Sequence, residues 1–152
     1  MRTKIIAGFP GCGKSTAAIK LGTSKVIDLE SSDYHWIYDN DGNKKLNPKW
    51  PENYVIEIIR LINNNKSKYI CISTHSSVLV LLTALNIKFK IVMPYNKEIY
   101  MNRYKLRGSS EEFISNMDKN WDSYIHDLSA LYLSSKNISL MSTDKYISEI
   151  IK

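Results

Sequence analysis

Gly8-Phe9-Pro10-Gly11-Cys12-Gly13-Lys14-Ser15 satisfies the pattern G-x-x-x-x-G-K-[ST] at every fixed position. Its flanks supply the context that gives the pattern meaning. Lys4 to Ala7 is a short apolar run that reads as a strand, and Lys14 to Leu21 reads as a helix. Gly22 suits the left-handed position after that helix. Glycines at a strand-to-helix junction let successive backbone N–H groups turn toward one point, and the helix adds its positive end. A triphosphate is the ligand such a loop expects. Gly8, Gly11, Cys12, Gly13, Lys14, Ser15 and Thr16 are therefore the candidate nucleotide-binding residues. Lys14 is expected to reach the β- and γ-phosphates of ATP, and Ser15 to ligate Mg²⁺. Cys12 is expected to fill the loop, not to act as a nucleophile. The competing reading, a glycine-rich turn with no ligand, fits the flanking strand and helix less well.

Outward from this loop, short apolar runs alternate with helical patterns, as in a parallel sheet flanked by helices. Val26 to Leu29, Tyr69 to Ser73, Phe89 to Met93 and Ile138 to Met141 read as further strands. Glu30 to Asn53 reads as irregular: Asp39-Asn40-Asp41-Gly42, Pro48 and Pro51 are turn formers. Those aspartates lack the far-end glutamate of a calcium loop, so a plain turn is expected. Val55, Ile58, Ile59 and Ile62 have helical spacing, Ser77 to Leu85 is a short apolar helix, and Lys97 to Arg107 a helix stopping at Gly108. Ser109 and Glu112 have capping-box spacing. They open a long helix whose Phe113, Met117, Trp121, Tyr124, Leu128 and Leu131 share one face, with Trp121 read as packing. A short helix closes the chain. The expected architecture is a three-layer α/β/α domain with a five-stranded parallel sheet and right-handed crossovers.

At 152 residues, 43% hydrophobic and 24% charged, the chain suits one compact domain, 1–152. No apolar run approaches the ~18 residues of a membrane span; the longest, Val78 to Leu82, reads as part of a buried helix. The apolar stretch after Met1-Arg2-Thr3-Lys4 is too short for a signal peptide and runs into the glycine-rich motif, so a cytoplasmic location is expected. Cys12 and Cys71 lack metal-ligand spacing and are expected to be free thiols. The net charge of +6 suits polyanionic ligands, but it reads as scattered and not gathered into a stripe. A nucleotide satisfies it, and nucleic acid is not expected as a partner. A monomer or homodimer remains open.

The stretch Gly-Phe-Pro-Gly-Cys-Gly-Lys-Ser-Thr, 8–16, resembles the P-loops of nucleoside monophosphate kinases and related small-molecule kinases. Tyr100-Met-Asn-Arg103-Tyr-Lys-Leu-Arg107-Gly-Ser-Ser-Glu-Glu-Phe is similar to the lid of guanylate-kinase-like enzymes, where R-x-x-x-R-G ends a helix before a short polar loop. The layout also resembles compact kinases that phages encode for deoxynucleoside monophosphates. The resemblance implies a P-loop NTPase fold of nucleotide-kinase type, with an acceptor-binding insertion at about 30–68 and a lid at about 103–112. Such kinases often end the third strand with an aspartate that assists Mg²⁺ or the acceptor. This chain reads Ile72-Ser73-Thr74-His75 there. Asp28 and Glu30 resemble instead the D-x-D of shikimate-kinase-like enzymes.

Arg103 and Arg107 are four residues apart and share a helical face, so two guanidinium groups can clamp the charge on a transferring phosphoryl group. The plain alternative is two solvated arginines. Asp28 and Glu30 fall on one face at the carboxyl end of the second strand, where α/β sites lie, as metal or acceptor ligands or as solvated acids. His75 could touch an acceptor phosphate or cap the next helix. Ser31 and Ser32 offer hydroxyls to a sugar or phosphate, and Asp33, Tyr34, His35, Trp36 and Tyr38 could meet a base or fill the core. These residues point first to a kinase moving the γ-phosphoryl of ATP to a nucleoside or deoxynucleoside monophosphate. A monophosphate acceptor needs no strong base. A kinase of a small hydroxyl metabolite, with Asp28 or Glu30 as base, is the second reading, and a nucleotide-binding ATPase or regulator the third.

Overall fold

In the computed structural model, which describes residues 2–151, five strands form one parallel sheet: β1 (Lys4–Gly8), β2 (Val26–Asp28), β5 (Tyr69–Ile72), β6 (Phe89–Met93) and β7 (Ile138–Ser142). Their order is β2-β5-β1-β6-β7, with the first strand at the centre. The central strands are buried along their length, and Ile70, Cys71 and Ile72 are wholly inaccessible. Burial on both faces is why they read as continuous apolar runs without alternation. The covering helices are α1 (Lys14–Leu21), α3 (Glu52–Asn64), α4 (Ser76–Ala84), α5 (Lys97–Leu106), α6 (Glu111–Ser134) and the short α7 (Ile147–Ile150). α1 meets α7, whereas α4 meets both α3 and α6, a grouping compatible with an α/β/α layering. No helix among the described residues is long and apolar enough to cross a membrane.

The segment 30–53 departs from the irregular stretch expected of it. It holds a helical turn, α2 (Ser32–His35), then an antiparallel hairpin of β3 (Trp36–Tyr38) and β4 (Lys44–Leu46). Asp39 Oδ1 accepts from the amides of Asp41 and Asn43, closing the hairpin and giving the aspartate-rich stretch a turn's role. Turn chemistry was legible there; strands of three exposed or half-exposed residues carry too little apolar pattern to be seen. A second correction concerns α6. Ser110, not Ser109, caps it, with Oγ accepting from the Phe113 amide at 3.1 Å. Gly108, at φ 76, turns the chain between α5 and α6. Gly22 also has positive φ, but its ψ of 160 is not that of the left-handed helix.

Aromatic packing fixes the long helix against the glycine-rich loop. The Trp121 ring meets Phe9 edge-on at 5.2 Å between centroids and Tyr100 at 6.2 Å, so α5, α6 and the loop share one cluster. Met117, Trp121 and Leu128 are buried, and Phe113, Tyr124 and Leu131 pack against the core, as the face reading requires.

Parallelism has a second consequence. All strand ends lie at one pole, with the glycine-rich loop, and all strand starts at the other. Lys4 opens β1; Lys25, Lys68 and Lys88 directly precede β2, β5 and β6; Lys136 lies two residues before β7. Charge that is scattered along the sequence is gathered by the sheet.

Removing Trp121 opens a cavity beneath α5 and α6 at once. Trp121→Ala is expected to cost about 3–5 kcal/mol in equilibrium urea unfolding. Tyr132→Ala, on the outer side of the same helix, should change stability by less than about 1 kcal/mol. Equal losses at both would show that this cluster is not what holds α6.

Candidate functional site

The loop between β1 and α1 is shaped by where its carbonyls go. Gly8 O accepts from Lys14 Nζ at 2.8 Å, and Phe9 O from the Cys12 amide at 3.1 Å. Pro10 O accepts from the Tyr104 hydroxyl at 2.6 Å and Gly11 O from Arg103 at 3.0 Å. Cys12 O accepts from the Ile147 amide and Gly13 O from the Ala17 amide, each at 2.9 Å. All six oxygens are thereby committed to protein donors. The amides are not. Those of Gly11, Gly13, Ser15 and Thr16 have no backbone partner among the described residues, and the Lys14 amide faces the Cys12 thiol. With no side chain capping α1, its positive end is also open. Four free donors and the neighbouring Lys14 ammonium suit an oxyanion.

Gly11 and Gly13 sit at φ 92 and 86, the left-handed half of conformational space. Space forbids side chains as well: a Cβ on Gly11 would lie 2.9 Å from the Tyr104 ring, and one on Gly13 2.9 Å from the Tyr146 ring. Cys12 is buried, and burial pushes its thiol above the ordinary value despite Lys14, as expected of a filler and not of a nucleophile.

Arg103 is fully engaged. Its guanidinium donates to the carbonyls of Gly11 and Asp144 and lies between the rings of Tyr100 and Tyr146, 4.5 and 4.0 Å from their centroids. Arg107 is exposed. It donates through Nε to Ser109 Oγ, and its terminal nitrogens make no hydrogen bond among the described residues. Residues 103–106 belong to α5 and 111–112 to α6, so the region matched to a lid is here a tight turn between two helices.

Asp28 ends β2 beside the loop mouth. Burial raises its carboxyl above the ordinary range, the Lys14 cation pulls it back, and Glu30 adds to the rise. Glu30 accepts from the Ser32 amide at 3.2 Å. Ser31 is buried at the head of α2 and Asp33 is exposed. Tyr34, His35 and Trp36 stack largely within the segment: Tyr34 on Tyr54 at 5.4 Å, His35 on Trp36 at 4.2 Å and on Trp50 at 4.5 Å. His75 joins this cluster from the β5–α4 loop, 5.1 Å from His35 and 5.2 Å from Trp50. Loss of water against those rings lowers its pKa, and the His35 and Lys14 charges push the same way, so it is neutral at pH 7. It heads α4 through its backbone, and its side chain makes no cap.

A cleft of about 640 Å³ opens from the loop between α4 and α6, lined by Gly8, Lys14, Ser73, His75, Asn116 and Asp127, among others. Leu79, Met117 and Leu128 give it apolar walls. Asn116 donates to the Tyr124 hydroxyl at 3.2 Å on its α6 side. Ser73 Oγ is buried with no hydrogen-bond partner. Of these, Ser73, Asn116 and Asp127 are not among the candidate site residues that the sequence offers. Ser73 was signalled by its place after a buried strand, whereas Asn116 and Asp127 looked like a solvated helix face. No cluster of three His, Cys, Asp or Glu able to hold a metal occurs among the described residues. Comparison with known protein families and with curated proteins finds no match to this chain.

Two outcomes are expected. Gly42 has positive φ but open space around it, whereas Gly13 has both the strained φ and a ring in the way. Gly42→Ala should cost about 1–2 kcal/mol in urea unfolding, the conformational penalty alone, and Gly13→Ala clearly more. Equal costs would mean that Tyr146 yields freely. The carboxyl of Asp28, raised in the folded state, lowers stability once ionised, so its contribution is best below the ordinary value of 3.8 and is lost as pH rises through the folded pKa. Asp28→Asn should therefore raise the Tm at pH 7, with the gain vanishing below pH 3.8. A gain independent of pH would refute this account.

Proposed function

We propose that the chain is a kinase-type P-loop phosphotransferase that moves the γ-phosphoryl of ATP to a nucleoside or deoxynucleoside monophosphate. The observation that carries this reading is the loop whose six carbonyls are bonded to protein donors while four amides stay free for phosphate oxygens, with the Lys14 ammonium held beside them on the Gly8 carbonyl. In-line transfer asks little covalent chemistry of a protein; position and charge do most of the work. Lys14 exchanges the Gly8 carbonyl for the β- and γ-phosphates. Arg103 holds the loop in shape as a positioning residue. Arg107, with terminal nitrogens uncommitted, is the group for the charge that grows on the transferring phosphoryl.

Ser15, exposed in the first turn of α1, and Asp28, close enough to feel Lys14, are the residues that would hold Mg²⁺. Two protein ligands suit an ion that keeps several waters and completes its shell with phosphate oxygens. Mg²⁺ held there would supply neutralisation of phosphate charge.

We assign the acceptor to the cleft between α4 and α6. It opens on the same loop, its apolar walls suit a base, and Asn116, Tyr124 and Asp127 can read a base edge. The segment 30–62 is less suited than its aromatic content suggests, because its rings are largely spent on one another. A second reading, transfer to a hydroxyl compound, is favoured by one observation: the raised carboxyl of Asp28 is a better proton acceptor than an ordinary aspartate.

The protein incubated with Mg-ATP and each common ribo- and deoxyribonucleoside monophosphate should form a diphosphate from at least one. Lys14→Ala should abolish that turnover while circular dichroism shows the fold retained. ADP formed without an acceptor would indicate an ATPase. Transfer only to a non-nucleotide alcohol would replace the mononucleotide with the second reading.

A further inference from the structure

The pole opposite the glycine-rich loop carries a second cleft, of about 830 Å³. Arg2, Lys4, Lys88, Lys90 and Lys136 line it, and no aspartate or glutamate does. None of these five cations forms an ion pair or a side-chain hydrogen bond among the described residues. The surrounding segments are equally one-sided: 22–25, 65–68, 85–88 and 135–137, which lead into β2, β5, β6 and β7, contain five lysines and no acid.

Register places these charges in a row. Lys4 pairs with Tyr69, and Tyr69 with Val26; Phe89 pairs with Ile138 and Ile6 with Lys90. Lys25, Lys68, Lys4, Lys88 and Lys136 thus follow the sheet order within about one residue of a common line. At about 4.8 Å between strands the row runs for about 20 Å. Lys25 and Lys68 are close enough to interact as like charges, which an anion between them would relieve.

Helix carboxyl ends could account for some of this. α1, α3, α4 and α6 end at this pole, each worth about half a negative charge, or about two in all. Eight cations, Arg2, Lys4, Lys25, Lys66, Lys68, Lys88, Lys90 and Lys136, stand against them, leaving a large surplus. The length of the row decides the ligand class. A mononucleotide or free phosphate would use one or two lysines, whereas a chain of regularly spaced charges engages them all. Asn63, Asn86 and Asn137 lie in the same cleft and offer amide donors and acceptors that suit base edges and sugars.

We propose that this pole is a nucleic-acid-binding face, on which the lysine row follows the phosphates of a single strand while the active pole stays free. The proposal does not depend on which acceptor the opposite pole uses.

Fluorescence anisotropy of a labelled 20-nucleotide single strand, titrated with the full chain at several salt concentrations, tests it. Affinity should fall with a log–log slope of about −3, the value for four or five phosphate contacts. The triple variant Lys4→Gln/Lys88→Gln/Lys136→Gln should weaken binding at least tenfold at 50 mM salt and flatten the slope by about 2. ATP binding should be unaffected, and Lys14→Ala should bind the strand like the native chain. Lys88→Gln alone, expected to flatten the slope by about 0.7, serves if the triple variant is poorly folded. Four results would overturn the proposal. One is the absence of binding at 50 mM salt. The second is equal affinity of native and triple variant, including the case where the variant loses only Tm. The third is loss of strand binding in Lys14→Ala. The fourth is tighter binding of a polyglutamate of matched charge, which would make the partner an acidic protein.

Discussion

Six consecutive carbonyls that must point away from one space are the constraint on which the rest of this structure depends. A backbone loop presents an oxyanion site only if its oxygens are turned out, because each carbonyl left facing inward would repel the ligand its neighbouring amide attracts. Here no two of the six use the same donor. Two come from within the loop or α1, one from the Lys14 side chain, two from α5 and one from the start of α7. The positions of α5 and α7 follow from this. Tyr104 and Arg103 must reach the loop, so α5 crosses beside it, and the Tyr100, Phe9 and Trp121 cluster then carries α6 along. The Ile147 amide must reach Cys12, so the chain returns from β7 to lie against α1. The site is thus not appended to the fold.

What could be read from the sequence divides along the same line. The loop, its strand and its helix were legible because backbone chemistry there demands particular residues at fixed spacing: glycine at positive φ, lysine and serine in the first helical turn. The buried strands were legible from apolar runs such as Tyr69 to Ile72. Long-range partners were not. Nothing about Arg103 in its own helix says that its guanidinium will satisfy a carbonyl 92 residues earlier; the spacing with Arg107 suggested two equal partners, and the fold gives them different work. The hairpin at 36–46 escaped because its strands are exposed and short, and the cap of α6 because two serines stand side by side. The lysine row escaped for a simpler reason. One lysine before each strand looks like scatter until a parallel sheet brings all starts to one edge.

The site also carries costs that a purely structural region would not. Asp28 keeps a raised carboxyl and Ser73 Oγ is buried with no partner, while Gly11 and Gly13 stand where any side chain would be strained. The first two lower stability by an amount that packing elsewhere must offset. Their concentration around one mouth is itself informative. Evenly spread features of this kind would be ordinary imperfection, but these gather at the ends of β1, β2 and β5, around the glycine-rich loop.

The two poles of the sheet follow from one topological fact. Crossover helices run opposite to parallel strands, so helix amino ends gather beside the strand ends and helix carboxyl ends beside the strand starts. The first pole is therefore positive through backbone dipoles, with Lys14 the basic side chain that lines its cleft. The second would be negative from dipoles alone, and it is made positive by lysines well beyond what neutrality requires. A chain that needed only solubility could have left acids at these starts, where they would have cost little on exposed loops. None stands there, while fifteen acidic residues are distributed over the rest of the molecule. The two poles carry positive charge by different means: backbone amides of fixed direction at one end, and a row of lysine side chains at the other. Directed donors discriminate shape, whereas a flexible cationic row tolerates any chain of regular charge.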